Sequence, residues 1–550
     1  MRIRLFWLSF FITFAVSAAF ALEQSPATPP AATVVAAEPI PRFAITHFRV
    51  EGNSILAEAE VSALLRQFAG PDKDFGDVQQ ALDALENAYR HKGYNSVSVY
   101  LPEQELKGGV ITFRVVEAKI SGVDIEGNRF FTKENIEQSF PSLVSGTFPR
   151  VHEISKNLRA VNENPAKKVS LQLLSGGRED EIIARLKVVD EKYWKTGLTF
   201  DNSGNRQTGD YRFGILLQHF NLFNRDHVAT VHYTTSPDHA ERVNSISGSY
   251  RLPLYRLGDT IDVFAGYSDI DSGVFSVTTN TFSYTASNIN GKGVIGGARY
   301  NYTLKRFGEY SQKLVAGMDY RYYDNSSRFD VSLTGGSSFD GSSKTELVLH
   351  PLSLSYLGSY AMENGETGLY LGAAYNPPWG EHGGRKDFPE GTAADYFVLR
   401  YGAFLAHLLP ADFQVRFSFN GQYAPRNLVV YEQMGLGGAG FGRGYGERAA
   451  EGDVGYAGTA EIYSPDLARM AAIADSQLRL VAFYDDGYVR RATLEQGDDA
   501  GARASSVGGG ARLSLSRYFT ASVDWGVTLT SLPSFPRGNS RIHFKAAIIY

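Results

Sequence analysis

The chain has 550 residues and no cysteine, which removes disulfides, thiolate metal sites and cysteine nucleophiles together. Its formal net charge of −5 excludes the basic field that a nucleic-acid partner needs. Tyr, Phe and Gly number 31, 35 and 56, a supply suited to aromatic girdles and tight barrel bends.

Met1-Arg-Ile-Arg4 opens the chain, followed by an apolar run from Leu5 to Phe20 and the small-x-small triplet Ala19-Phe20-Ala21. A basic segment, an apolar segment and such a triplet predict a signal peptide over 1–21, cleaved after Ala21. Residues 22–42 are rich in Ala and Pro and read as a linker. No later segment reaches 18 uninterrupted apolar residues, so no transmembrane helix is predicted beyond the leader.

Val50-Glu-Gly-Asn53 recurs as Ile125-Glu-Gly-Asn128, and its surroundings recur with it. In the first copy Phe43 to Val50 reads as a strand. Val61, Leu64, Leu65 and Phe68, then Val78, Leu82, Leu85 and Tyr89, have helical spacing. Val97 to Leu101 and Val110 to Val116 read as strands. In the second copy a strand from Ile120 to Ile125 precedes helices over Lys133–Ser139 and Val151–Val161. Strands follow over Val169–Leu174 and Ile182–Val189. The order β-α-α-β-β therefore appears twice, predicting α+β domains over 43–118 and 119–191.

From residue 192 to Tyr550 the pattern changes to strands of alternating character. In the last ten residues Ile542, Phe544, Ala546, Ile548 and Tyr550 share one face, and Arg541, His543 and Lys545 the other. One face suits lipid and the other water, and only a closed barrel satisfies every backbone group of such strands in a bilayer. Alternation and turn signals place sixteen antiparallel strands, from 193–201 to 541–550. The fold class is thus mainly β: a sixteen-stranded transmembrane barrel preceded by two periplasmic α+β domains. The even count returns the C-terminus to the side of those domains, as a bacterial outer membrane requires. Turns such as Asn224-Arg-Asp226 and Leu257-Gly-Asp259 are short, while Asn325 to Thr345 reads as a long opposite connection.

Between the eleventh and twelfth strands, seven of the thirteen residues from Gly435 to Glu447 are Gly, so the segment can fold back in close quarters. Arg443 is its single basic residue. In the thirteenth strand, Phe483-Tyr-Asp485-Asp-Gly487, alternation turns Leu478, Leu480 and Ala482 outward. Arg479, Phe483, Asp485 and Gly487 then face the lumen. A luminal carboxylate is a natural partner for an arginine carried inward on a loop. Such a pair can gate or merely stabilise, and sequence does not separate the two. Gly435-Leu-Gly437-Gly-Ala-Gly440 fits a dinucleotide-binding string but has no βαβ context, and the eleven His show no metal-ligand spacing. No cofactor, metal or catalytic set is predicted. Arg479, Arg512 and Asp524 read as single charges on a solvated inner face.

The repeated β-α-α-β-β order resembles the polypeptide-transport-associated (POTRA) domain. Two such domains before a barrel resemble the two-partner secretion transporters (TpsB, or haemolysin secretion/activation, family) of the POTRA-plus-barrel superfamily. Lys92-Gly-Tyr94 with Leu101-Pro-Glu-Gln-Glu-Leu106 resembles the family's first module. Val161-Asn-Glu-Asn-Pro165 with Val169-Ser-Leu-Gln-Leu173 resembles its second, and Asp201-Asn-Ser-Gly204 its first extracellular turn. The superfamily's loop motif falls on Arg443, Gly444 and Tyr445, and its strand motif on Phe483, Asp485 and Gly487. The resemblance implies a loop tip held to the luminal wall, with these residues as conformational determinants of transport. It also implies a partner: a TpsA-like exoprotein of adhesin or haemolysin type, recognised unfolded in the periplasm and secreted through the barrel. Asn164, Pro165, Val169, Leu171 and Leu173 are the client-binding candidates, because an extended client can add to an exposed strand edge. Outer-membrane lipid would surround the barrel. Two departures stand out. Gly442 replaces the usual aliphatic residue before the arginine, and residues 22–42 show no amphipathic plug helix, which predicts a pore conductive at rest. The competing readings are a barrel-assembly factor, disfavoured by two modules and by Asn164-Pro165, and a passive porin, disfavoured by the modules.

Overall fold

The computed structural model describes residues 41–550 apart from 205–207, 279–282, 333–337 and 495–500, and only the backbone within 270–290 and 325–345. The expected signal peptide, and all of the expected linker except its last two residues, lie outside the described residues.

The first module contains β1 (Phe43–Ile45), β2 (His47–Glu51), α1 (Glu58–Arg66), β3 (Gly70–Lys73), α2 (Phe75–His91), β4 (Val97–Tyr100) and β5 (Val110–Glu117). Its sheet runs β2-β5-β4, with β2 parallel and β4 antiparallel to β5. The second contains β6 (Lys119–Glu126), α3 (Lys133–Gln138), α4 (Val151–Asn162), β7 (Lys167–Ser175) and β8 (Glu181–Asp190), in sheet order β6-β8-β7 with the same parallel and antiparallel senses. Helix α2 buries Val78, Ala81, Leu85 and Tyr89 against the sheet, and Asp74 and Asp77 close a capping box at its start. The pairing of β1 with β3 is absent from the sequence reading, because Gly-Pro-Asp-Lys carries no apolar alternation.

The repeated Glu-Gly-Asn is a folding device. Gly52 and Gly127 both take positive φ, +84° and +87°, and a Cβ on either would collide with the carbonyl of Val115 or Val188 in the neighbouring last strand. Asn53 then closes a turn on Leu56, with bonds of 2.9 and 3.0 Å, and Asn128 closes the matching turn on Phe131 at 2.9 Å. A carboxylate ending the last strand locks each turn: Glu117 accepts from the Ser54 and Ile55 amides, and Asp190 from those of Arg129, Phe130 and Phe131. The repeat thus encodes how each module's first strand turns into its helices.

The barrel closes from Trp194–Asp201 round to Ser540–Ile549 with all neighbours antiparallel. Among the described residues sixteen strands are present, as predicted. The eighth is broken into Ser338–Leu349 and Leu352–Met362 at Pro351, which has no amide to give to the ladder, and both halves pair with the seventh strand. The expected loop from Asn325 to Thr345 is a correction: strand pairing continues through Ser332 and resumes at Ser338. Polar residues there suit a ladder rising clear of the membrane, where alternation carries no apolar signal. Outward residues such as Leu354, Leu369, Leu480, Trp525 and Ile542 are exposed, while inward Arg251, Asp262, Arg299 and Asp319 are buried among themselves.

The second module and the barrel share one core. Phe220, Val228 and Tyr255 from the barrel's near end join Ile136, Ile154 and Val161 of the module. The turn Asn224-Arg-Asp226 inserts beneath α3, where Asp226 pairs with Lys167 at 2.6 Å and accepts from Ser139 at 2.8 Å and from the Tyr255 hydroxyl. Burial holds the Lys167 ammonium below the usual lysine range, opposed by the Asp226 charge.

Candidate functional site: a loop clasped to the luminal wall

The connection between the eleventh strand (Gln414–Tyr423) and the twelfth (Val454–Tyr463) folds into the barrel instead of standing above it. Its two arms pair as a short hairpin, Met434–Leu436 with Ala450–Gly452. Beyond the hairpin, Gly437, Gly438 and Gly442 take φ of +104°, +114° and +67°, which lets the tip double back.

At the tip Arg443 and Asp485 are both buried. The Asp485 carboxylate accepts Nη2 of Arg443 at 2.8 Å and Nε at 3.1 Å, a bidentate contact. The same carboxylate accepts the amides of Gly442 and Arg443, each at 3.1 Å, and the Ser506 hydroxyl at 3.1 Å. The positive φ of Gly442 turns two successive amides onto one oxygen, an arrangement an aliphatic residue would adopt under strain. Nη1 of Arg443 donates to Glu461 at 2.7 Å, and its guanidinium lies 3.4 Å from the Phe483 ring centroid.

Each remaining motif residue has a steric or polar task. Gly444 passes the fifteenth strand (Phe519–Thr528) so closely that a Cβ would sit 2.6 Å from the Thr528 amide nitrogen. The Tyr445 hydroxyl reaches Thr530 at 2.6 Å and Ser505 at 3.0 Å. Gly487 leaves room for Phe441, which would come within 2.6 Å of any Cβ there. All six sequence candidates of the loop and thirteenth strand are therefore brought to one place.

Several partners escaped the sequence reading. Glu461, Ser506, Gly526 and His543 come from four different strands, and His543 Nε2 lies 3.0 Å from the Arg443 carbonyl. One residue per strand leaves no spacing to detect. Gly526 opposes the backbone of Arg443 and Gly444 and was hidden among 56 glycines. The single inner charges are also corrected: Arg512 and Asp524 form a bidentate pair at 2.8 and 2.9 Å, and Arg479 fastens the turn at Asp412 at 2.9 and 3.0 Å. Neither contact joins register partners, since Asp524 faces Gly510 and Asp412 lies in a turn, so the sequence order of the charges does not reveal them.

The second-module candidates lie at the barrel's opposite end. Asn164 is buried, and its carboxamide donates to the Phe220 carbonyl at 2.7 Å, so it holds the module to the barrel. Pro165 is exposed. Val169 is buried, and Asn162 bonds both its amide and its carbonyl, at 2.7 and 2.9 Å, on the side away from β8. Strand parity then turns the backbone groups of Leu171 and Leu173 to that same open side. Among the described residues those groups have no partner, and Leu173 is exposed. No group of three or more His, Asp or Glu among the described residues is placed to hold a metal.

Fold and clasp together define a secretion transporter of the outer membrane, with its N-terminal domains in the periplasm. The chain matches the POTRA domain, ShlB-type, over residues 43–118, and the haemolysin secretion/activation protein ShlB/FhaC/HecB family over residues 180–513. It belongs to that family, and is a two-partner secretion pore. It is 23% identical to the heme/hemopexin transporter protein HuxB of Haemophilus influenzae, over 84% of this chain and 79% of that protein. It is 25% identical to the hemolysin transporter protein ShlB of Serratia marcescens, over 74% and 69%. The solved structure of CdiB from Escherichia coli superposes with a TM-score of 0.71 at 19% identity, covering 94% of this chain and 93% of that one, a likeness of fold.

Proposed function

We propose that export by this pore begins at the open edge of β7. An unfolded exoprotein segment adds there as a further strand, through the outward amides and carbonyls of Leu171 and Leu173, which read main chain instead of sequence. Asn162 closes the edge beyond Val169 and so sets the register of the added strand. The client then enters the lumen and passes the inward loop, whose tip is a determinant of transport through the Arg443–Asp485 clasp. The clasp carries this reading: a buried bidentate pair on a Gly-rich loop in the conduit fixes one loop position. The mechanism asks for no catalytic group and no cofactor. Folding of the client outside supplies direction, and lipid covers the exposed apolar wall. The partner is a secreted exoprotein, in keeping with relatives named as hemolysin and heme/hemopexin transporters.

Comparing culture medium and outer membrane from cells with and without this chain tests the reading. Loss of one or two large proteins from the medium alone identifies the partner. A broad fall in other barrels would instead make the chain an assembly factor.

A further inference from the structure

The inward loop is held at its base as well as at its tip. Glu432, in a short turn just before the hairpin, is buried in the lumen. Its carboxylate pairs with Arg321 of the seventh strand (Tyr310–Ser332) and with Arg400 of the tenth (Tyr396–Leu408), the latter at 2.9 Å. Its carbonyl accepts from Gln422 of the eleventh strand at 2.9 Å. Among the described residues these strands carry none of the tip's partners, which come from the twelfth to the sixteenth. The loop is therefore a strap between two parts of the wall. A cavity of 710 Å³ borders the base and is lined by Arg321, Arg400, Gln422 and Glu432 among others, so the base flanks open luminal space.

The two ends differ physically. The tip combines the polar clasp, which water can solvate again when the loop withdraws, with an apolar cluster smaller than that of the base, in which Phe441 and Tyr445 pack with Ala457, Leu532 and Phe535. The base is fastened by polar groups under an apolar cluster, where Leu428 and Val429 pack with Phe388 and Tyr396, and Tyr431 stacks on Tyr323 at 4.1 Å between ring centroids. Lifting the base would expose that cluster, and water returns nothing for apolar surface. We infer that Glu432 is a positioning residue for export: it pins the base of the loop as a fixed pivot, and the conduit widens by release of the Arg443 tip about it. This rests on the secretion reading.

The absence of native cysteine makes the test direct. In a Tyr323→Cys/Tyr431→Cys variant, a short bis-maleimide can tie the base to the wall, with the untreated variant as its own control. Export by the tied form should stay within about twofold of that control, since a pivot does not travel. In parallel, Glu432→Gln should remain a heat-modifiable barrel yet export about tenfold less and give unsteady single-channel currents, with Glu432→Asp recovering part of the loss. Export abolished by the tie, or parental export and steady currents from a folded Glu432→Gln, would overturn the pivot. Should Glu432→Gln not fold, the tie decides alone. A parent chain that exports nothing would sink the secretion reading, which is a separate failure.

Discussion

At the residue scale, the clasp concentrates five donated hydrogen bonds on one buried carboxylate, Asp485. Removing its cation strands that charge, which typically costs about 3–5 kcal/mol. Arg443→Ala should therefore leave a heat-modifiable barrel in the membrane and lower export by about tenfold or more. Parental export would reduce the pair to a stabilising role. Arg443→Lys should not restore export, because an ammonium cannot make the bidentate contact or stack flat on Phe483. A second substitution separates charge from position. Gly526→Ala alters no charge but drives a methyl into the backbone of Arg443, so it should reproduce the export defect. Export at the parental level from that variant would show that the wall tolerates a displaced tip. Arg443 and Asp485 were legible because an isolated charge in a Gly-rich run and a carboxylate at an inward strand position each stand out. Gly526 was illegible because its task is defined only by what passes over it.

At the scale of elements, strand parity makes β7 open to a precise perturbation. The Leu173 amide points away from β8, so Leu173→Pro removes a donor the sheet does not use and places a ring at the docking edge. The variant should keep its fold by circular dichroism and bind an extended client peptide about tenfold more weakly. Undiminished binding would place the docking edge elsewhere. The barrel's seam is a second element with a visible weakness. Five residue pairs join the last strand to the first, against fourteen between the thirteenth and fourteenth strands. Facing Thr199 and Ala547 point inward at that seam. A Thr199→Cys/Ala547→Cys disulfide should raise the barrel's resistance to heat and leave export intact if the client travels through the lumen. Export that stops on oxidation and returns on reduction would mean that the seam must part.

At the scale of the whole molecule, the second module and barrel are joined through a shared core and a buried ion pair. Lys167→Ala would leave Asp226 buried without its cation and should loosen the junction by about 3–5 kcal/mol. Spin-label distances between the second module and the barrel rim should broaden, with the barrel itself still folded. Narrow, unchanged distances would show that the apolar contacts of Phe220 and Tyr255 suffice. A fixed second module holds the β7 edge at one place relative to the barrel mouth, so a client strand docked there would approach the lumen from a constant direction.

The strands were readable because one face meets apolar surroundings and the other a polar interior, so a period of two is written into each segment. The modules were readable because helical spacing repeats at a fixed interval and Glu-Gly-Asn marks the same turn twice. By itself the sequence determined the sixteen strands, the two α+β domains, and the Arg443 and Asp485 pairing. Tertiary structure alone decided that Asn164 belongs to the junction, that Lys167 is buried on Asp226, and that Glu432 fastens the loop's base. The ion pairs of Glu432, for example, join residues 32 and 111 positions apart, Arg400 with Glu432 and Arg321 with Glu432. Periodicity reports which way a side chain faces, whereas closure of the barrel and inward folding of the loop decide what it meets.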